Sequence, residues 1–115
     1  MTEHELQNTI RLAIAPHAIA LRINSGKFWS GTRVWDPARQ QYILTNIRPV
    51  HGAPEGTSDL IGCRRKDGKF VAIEVKTPTG TPTTAQLGFL QAVKESRGIS
   101  GIARSAEDAI KILEE

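Results

Sequence analysis

Apolar residues recur along this chain with two periods, and the switch between them sketches the fold. Leu6, Ile10, Ala13 and Ile14 fall on one stripe of a helix running from Thr2 to about Ala15. Thr2-x-x-Glu5 is a capping-box pattern at its start, and Pro16 ends it. Ala18 to Asn24 alternates weakly and reads as a first core strand. Phe28-Trp29, Val34-Trp35 and Tyr42-Ile43-Leu44 then form an excursion, with Asp36-Pro37-Ala38-Arg39 as the turn between two strands. Pro49 to Gly56 is a Gly- and Pro-rich loop. Two further strands follow, the second with Val71, Ile73 and Val75 on one face. A helix from Thr84 to about Arg97 carries Gln86, Phe89, Leu90 and Val93 on one stripe. Ser100 to Arg104 reads as a strand, and Ser105 caps a last helix with Glu107 and Asp108 in its first turn. The pattern predicts an α/β fold: a mixed sheet flanked by helices, with an inserted β-hairpin.

The turn between the two central strands decides which side chains meet. Asp67-Gly68 between apolar runs is a hairpin cue, because a type I′ turn needs positive φ at both central residues. A two-residue loop there opposes Lys66 to Lys69, Ile61 to Glu74 and Asp59 to Lys76. Asp59, Glu74 and Lys76 then share one face. A three-residue loop would turn Asp59 away. Two carboxylates can hold Mg²⁺ or Mn²⁺, hard cations that prefer oxygen ligands, and a neighbouring lysine can meet the charge of a phosphodiester under attack. Glu-x-Lys on a strand is more often a solvated charge pair, so the flanking sequence carries the weight. Gln86, at the head of an apolar stripe, is either a capping residue or a group aimed at the site.

Length, charge and cysteine usage narrow the class. The 115 residues suit one domain spanning the chain, with apolar content of 39% and charged content of 23%. The lone Cys63 excludes an internal disulfide and a multi-cysteine zinc site, and is expected as a packing residue. No signal-peptide pattern or membrane-length apolar run occurs, so a cytoplasmic protein is expected. Residues 22–76 hold ten Lys or Arg against five acids, a local +5 in a chain whose net charge is +3. That balance suits a polyanion. Arg64-Arg65-Lys66 at the hairpin tip reads equally as phosphate contact or as solubility charge. The aromatics of the excursion fit a core cap or a subunit interface better than base stacking. His51 is expected in solvent; His4 and His17 give no signal.

Glu74-Val75-Lys76, Gly56-x-x-Asp59 and Gln86-x-x-Phe89 resemble the VRR-Nuc branch of the PD-(D/E)xK nucleases. Glu5-Leu6-Gln7 resembles that family's first acidic motif, Arg22-x-Asn24-x-Gly26 its early strand and turn, and Gly98-Ile99 through Ser105-Ala106-Glu107-Asp108 its closing strand and helix. The resemblance covers most of the chain except about residues 27–50, and Ser58 stands where many relatives have Pro. It implies a restriction-endonuclease-like fold and a Mg²⁺- or Mn²⁺-dependent DNA endonuclease, with no organic cofactor. Asp59, Glu74 and the Val75 carbonyl would ligate metal. Lys76 would position or deprotonate the attacking water and stabilise the transition state, Gln86 would orient Lys76 or the phosphate, and Glu5 would orient a metal-bound water or ligate a second ion. Stand-alone relatives, of phage or bacterial type, imply a homodimer acting on branched DNA such as a four-way junction. A flap- or nick-directed nuclease, a non-catalytic nucleic-acid-binding module and an interaction protein are the rival readings.

Overall fold

The computed structural model describes residues 1–115. Helix α1, Glu3–Ile14, starts on the predicted capping box and buries Leu6, Ile10 and Ile14 at a spacing of four residues. Strand β1, Ala18–Arg22, pairs antiparallel with β4, Leu60–Arg64, and β4 pairs antiparallel with β5, Phe70–Val75. Helix α2, Thr84–Glu95, carries the chain across so that β6, Ile99–Ala103, runs parallel to β5. The sheet order is β1-β4-β5-β6, and α3, Ala106–Leu113, closes the fold. The expected mixed sheet flanked by helices is therefore present. Helix α2 ends at Glu95 rather than Arg97, because Arg97 turns into a left-handed conformation (φ 68°) and the Gly98 N–H closes onto the Val93 carbonyl at 2.8 Å.

Each face of the sheet has its own core. Leu60, Val71, Ile73, Val75 and Ala103 pack with Leu6, Ile10 and Ile14 of α1 and with Ile112 and Leu113 of α3. Ala72 packs on the opposite face with Leu90 and Val93 of α2, flanked by Ile61, Phe89 and Ile102. Strand β5 is thus covered on both sides, so all of Val71 to Val75 is buried without alternation. Gly62 is required on β4: a Cβ there would collide with the Ile19 carbonyl of β1.

The β4–β5 hairpin differs from expectation by two residues. Leu60 opposes Ile73, Ile61 opposes Ala72, and Cys63 opposes Phe70, so the same register sets Asp59 opposite Glu74 rather than Lys76. The loop is four residues long, Arg65 to Gly68, closed by Arg64 N–H to the Lys69 carbonyl at 2.9 Å and Gly68 N–H to the Arg64 carbonyl at 2.8 Å. Gly68 alone adopts positive φ (72°), so the type I′ geometry is not formed. Asp67 is held instead by its own side chain, which accepts from the Lys69 N–H at 3.2 Å and pairs with Arg64 at 2.6 Å. A shift of two residues preserves side-chain facing, so Asp59 and Glu74 still share a face.

The basic tip divides by role. Arg64 is buried and donates from Nη1 to the carbonyls of Leu113 (2.8 Å) and Glu115 (2.6 Å), tying the end of α3 to the hairpin. Arg65 Nε donates to the Ala15 carbonyl at the end of α1, at 2.9 Å. The Arg64 guanidinium is fully engaged, whereas Arg65 is exposed and keeps its Nη groups free.

Residues 27–51 leave the sheet entirely. Strand β2, Lys27–Asp36, pairs antiparallel only with β3, Gln41–His51, in a separate two-stranded ribbon. Asp36 Oδ1 accepts from the Ala38 N–H at 3.0 Å at the predicted turn. The ribbon makes no extensive contact with any other element and stretches the molecule to 55 × 27 × 27 Å. It therefore does not cap the core. No helix is long and apolar enough to cross a membrane.

Replacing Arg64 with Met removes the donor that serves Asp67 and the end of α3. We expect it to lower the unfolding midpoint by several degrees in scanning calorimetry. Lys66→Ala, at an exposed tip position without such contacts, should leave the midpoint unchanged.

Candidate active site

Three local devices bring the acidic pair together at one end of the sheet. Gly56, at φ 91°, lets the loop before β4 lie against the first turn of α2, where a Cβ would approach the Ala85 carbonyl to 2.7 Å. That loop delivers Asp59, whose carbonyl accepts from the Ile23 N–H at 2.8 Å. The Asp59 carboxylate turns inward, and its Oδ2 accepts from the Val75 N–H at 2.9 Å, where the β4–β5 ladder has run out. Glu74, on the same face of β5, is 1% exposed.

Gln86 serves both of its predicted uses at once. Its backbone N–H donates to Thr83 Oγ1 at 3.1 Å, and its Oε1 accepts from the Thr83 N–H at 2.8 Å, which completes a capping box on α2. Its Nε2 donates to Glu74 Oε1 at 2.9 Å. The cap locks the amide so that its free donor points at the buried carboxylate, not at Lys76 as expected. Lys76 Nζ lies 3.8 Å from the same Oε1, and its side chain is 12% exposed. The Lys76 N–H bonds the Ala103 carbonyl at 3.1 Å, which anchors the end of β5 to β6.

One positioning residue escaped the sequence reading. Arg104, just beyond β6, donates from Nη1 to the carbonyls of Thr77 and Gly80, both at 2.7 Å. It pins the loop between Lys76 and α2. Nothing in its sequence context separates it from an ordinary exposed arginine; only the parallel alignment of Ala103 with Val75 places it there.

Electrostatically the site is unbalanced toward negative charge. Burial, and then the neighbouring Asp59, push the Glu74 carboxyl up to about 8, with Lys76 opposing the rise. Glu74 Oε2 is buried with no hydrogen-bond partner. A buried carboxylate oxygen without a donor, beside a second carboxylate, fits a hard divalent cation. Asp59 and Glu74 are the residues that could hold one. No third His, Cys, Asp or Glu converges with them. Ser58, in the position of the family's Pro, is also fully buried with its hydroxyl unpartnered. Glu5 stays outside the pair: its Oε2 accepts from the Thr2 N–H at 3.1 Å as part of the α1 cap. Cys63 is partly buried on β4, and His51 is exposed at the end of β3.

Two outcomes follow from this geometry. In chelator, the native state retains a proton on Glu74 that the unfolded chain loses above its ordinary value of 4.5. Stability should therefore fall as pH rises from about 5 to 8 and level off above. Glu74→Gln should remove that slope in urea titrations at several pH values. Gln86→Ala should cost about 1 kcal/mol through the lost cap.

No curated protein matches the chain. A VRR-NUC domain profile matches residues 2–107 of the 115, from the α1 cap through the first turn of α3, and so includes every residue of the acidic site. The chain belongs to the VRR-NUC domain family.

Proposed function

We propose that this protein is a Mg²⁺- or Mn²⁺-dependent endonuclease that hydrolyses phosphodiester bonds in branched, four-way-junction-like DNA. The observation that carries the reading is the buried Glu74 carboxylate, unpartnered at Oε2, beside Asp59 and within 3.8 Å of the Lys76 amine. Asp59, Glu74 and the Val75 carbonyl would hold the ion, which when bound supplies charge neutralisation at the scissile phosphate and acidifies a water.

The chain's own groups supply the rest. Lys76 sits where the strand end meets solvent, with its amine drawn toward Glu74. It orients or deprotonates the attacking water and offsets charge as it builds on the phosphate oxygens. Gln86 acts one step back, fixing the Glu74 carboxylate through Oε1 and leaving Oε2 to face the ligand. Arg104 keeps the adjoining loop in place. Water attacks phosphorus directly, and no covalent enzyme intermediate forms. In this reading Glu5 contributes through the α1 cap; ligating a second ion would require it to release the Thr2 N–H. A two-fold dimer would suit a junction with paired scissile strands.

Labelled linear, flap and four-way DNA should be incubated with the protein, with and without Mn²⁺. Metal-dependent cleavage of the junction is expected. Lys76→Ala should reduce it about 100-fold or more while calorimetry still records Mn²⁺ binding. Asp59→Asn should weaken that binding. Full-rate cleavage by Lys76→Ala would overturn the assignment of the amine. Binding without cleavage would favour a module that keeps the fold and recognises nucleic acid only.

A further inference from the structure

The β2–β3 ribbon is the largest feature that the acidic site does not use. A two-stranded ribbon without packing partners is marginal in water. This one nonetheless presents Trp29, Trp35 and Tyr42 at 57%, 47% and 56% exposure. The register explains how they are arranged. Trp35 opposes Tyr42 and Arg33 opposes Leu44 toward the tip; Trp29 opposes Pro49 and Lys27 opposes His51 toward the root. Between the two halves, Gly31 on β2 faces two residues of β3, and Asn46 absorbs the bulge at φ 52°. Strand β2 therefore keeps its alternation, and Lys27, Trp29, Arg33 and Trp35 stay on one face.

That face interleaves rings and cations. Lys27 Nζ lies 5.6 Å from the Trp29 ring centre, the Arg33 guanidinium 4.2 Å from that of Tyr42, and the Trp35 and Tyr42 rings meet edge to face at 5.1 Å. It carries no carboxylate. The arm's one acid, Asp36, projects from the opposite face and is paired with Arg39 at 3.0 Å.

We infer that the β2–β3 ribbon is a DNA-binding arm whose basic, aromatic face lies along the duplex flanking the scissile phosphate. Arg33 and Lys27 would meet backbone phosphates, while Trp29, Trp35 and Tyr42 would stack on sugars or unpaired bases. Charge separates this occupant from a second copy of the chain. A two-fold contact sets the same face against itself, which would gather the Lys27 and Arg33 of both copies on one interface with no acid on that face to neutralise them. A polyanion meets no such repulsion. Length fits as well: ten residues of β2 reach about 33 Å, close to one turn of duplex at about 34 Å.

The arm's root is fixed next to the acidic site. The Gly26 N–H donates to the Ala53 carbonyl at 3.1 Å, the Gly52 N–H to the Gly26 carbonyl at 2.8 Å and the Ala53 N–H to the Asn24 carbonyl at 3.0 Å, and the neighbouring Ile23 N–H donates to the Asp59 carbonyl. A duplex on the arm is thereby led toward Asp59 and Glu74. The choice of DNA as the polyanion rests on the nuclease reading above; the surface itself does not.

Both tryptophans of the chain, Trp29 and Trp35, lie on this face, so intrinsic tryptophan emission reports on the arm alone. The full-length protein should be titrated with duplex and four-way DNA in EDTA, where no cleavage occurs, following tryptophan emission and the anisotropy of a labelled strand together. We expect emission to be quenched with the same midpoint as the anisotropy change, and both to weaken with salt. Arg33→Ala should weaken binding about tenfold and reduce the salt slope by about one. Trp35→Ala should weaken it by a similar factor, and Trp35→Phe should restore most of it. DNA binding with unchanged emission and wild-type affinity in Arg33→Ala would overturn the proposal. So would emission that follows protein concentration but not DNA, which would assign the face to a second copy. Quenching without metal-dependent cleavage would leave the arm standing and remove the nuclease reading; cleavage without quenching would do the reverse.

Discussion

Glu74 is the penultimate residue of the most buried strand in the molecule, with apolar residues before and after it and helices on both faces of the sheet. An ionised carboxylate in that position, one oxygen unpartnered and a second carboxylate across the strand pair, costs several kcal/mol unless a cation compensates it. The cost cannot be relieved by local movement. The Glu74 side chain is directed by β5, which is held by β4 on one side and β6 on the other. Its oxygen Oε1 is fixed by an amide that is itself locked in a helix cap. Asp59 is tied to the Val75 N–H. The sheet thus holds two carboxyl groups so close together that, without a cation, Glu74 keeps its proton up to about pH 8, a property expected of a metal site and costly in an ordinary core.

Capping supplies much of the positioning. Thr83 and Gln86 form the reciprocal pair that starts α2, and the same glutamine reaches the acidic site with its remaining donor. One residue couples helix initiation to carboxylate orientation, so the crossover between β5 and β6 cannot shift without disturbing Glu74. Arg104 adds a second restraint from the other end of that crossover by gathering the carbonyls of the loop that leads into α2. Thr2 and Glu5 make the equivalent box on α1, but there the carboxylate is consumed by the cap and exposed, away from the pair. The same local motif has a purely structural outcome in one helix and a site-directed one in the other.

Legibility in the sequence followed the range of the interaction. Caps and helix stripes are local, and Thr2, Ser105 and the Leu6–Ile10–Ile14 stripe stood where spacing placed them. Strand facing depends only on parity, so Asp59 and Glu74 were correctly paired on one face although the loop was two residues longer than expected. The loop length itself was hidden because Asp67 answers to Arg64 and, through it, to the far end of α3. That contact spans 49 residues, and no local rule reaches it. The fate of the aromatics was hidden for the same reason. Their composition reads as core, and only the tertiary layout shows that no core element packs extensively on them.

The distribution of positive charge has to be reassigned on that layout. Among the ten Lys and Arg of residues 22–76, Arg64 is spent on Asp67 and on carbonyls at the end of α3, Arg65 is tethered through Nε to the end of α1, and Lys76 leans on Glu74. The hairpin tip is therefore a weaker anion surface than its sequence suggests. Lys27 and Arg33 are held over aromatic rings, contacts that orient a cation without neutralising it. The ribbon's share of that charge, four Lys or Arg against one acid, lies at the site end of the sheet and is presented on a surface too narrow to bury its own rings. An incoming polyanion would feel that field before it reached the acidic pair, whose own charge repels phosphate until a cation is bound. Attraction at the arm and repulsion at the uncompensated pair together favour binding first and metal-dependent engagement second.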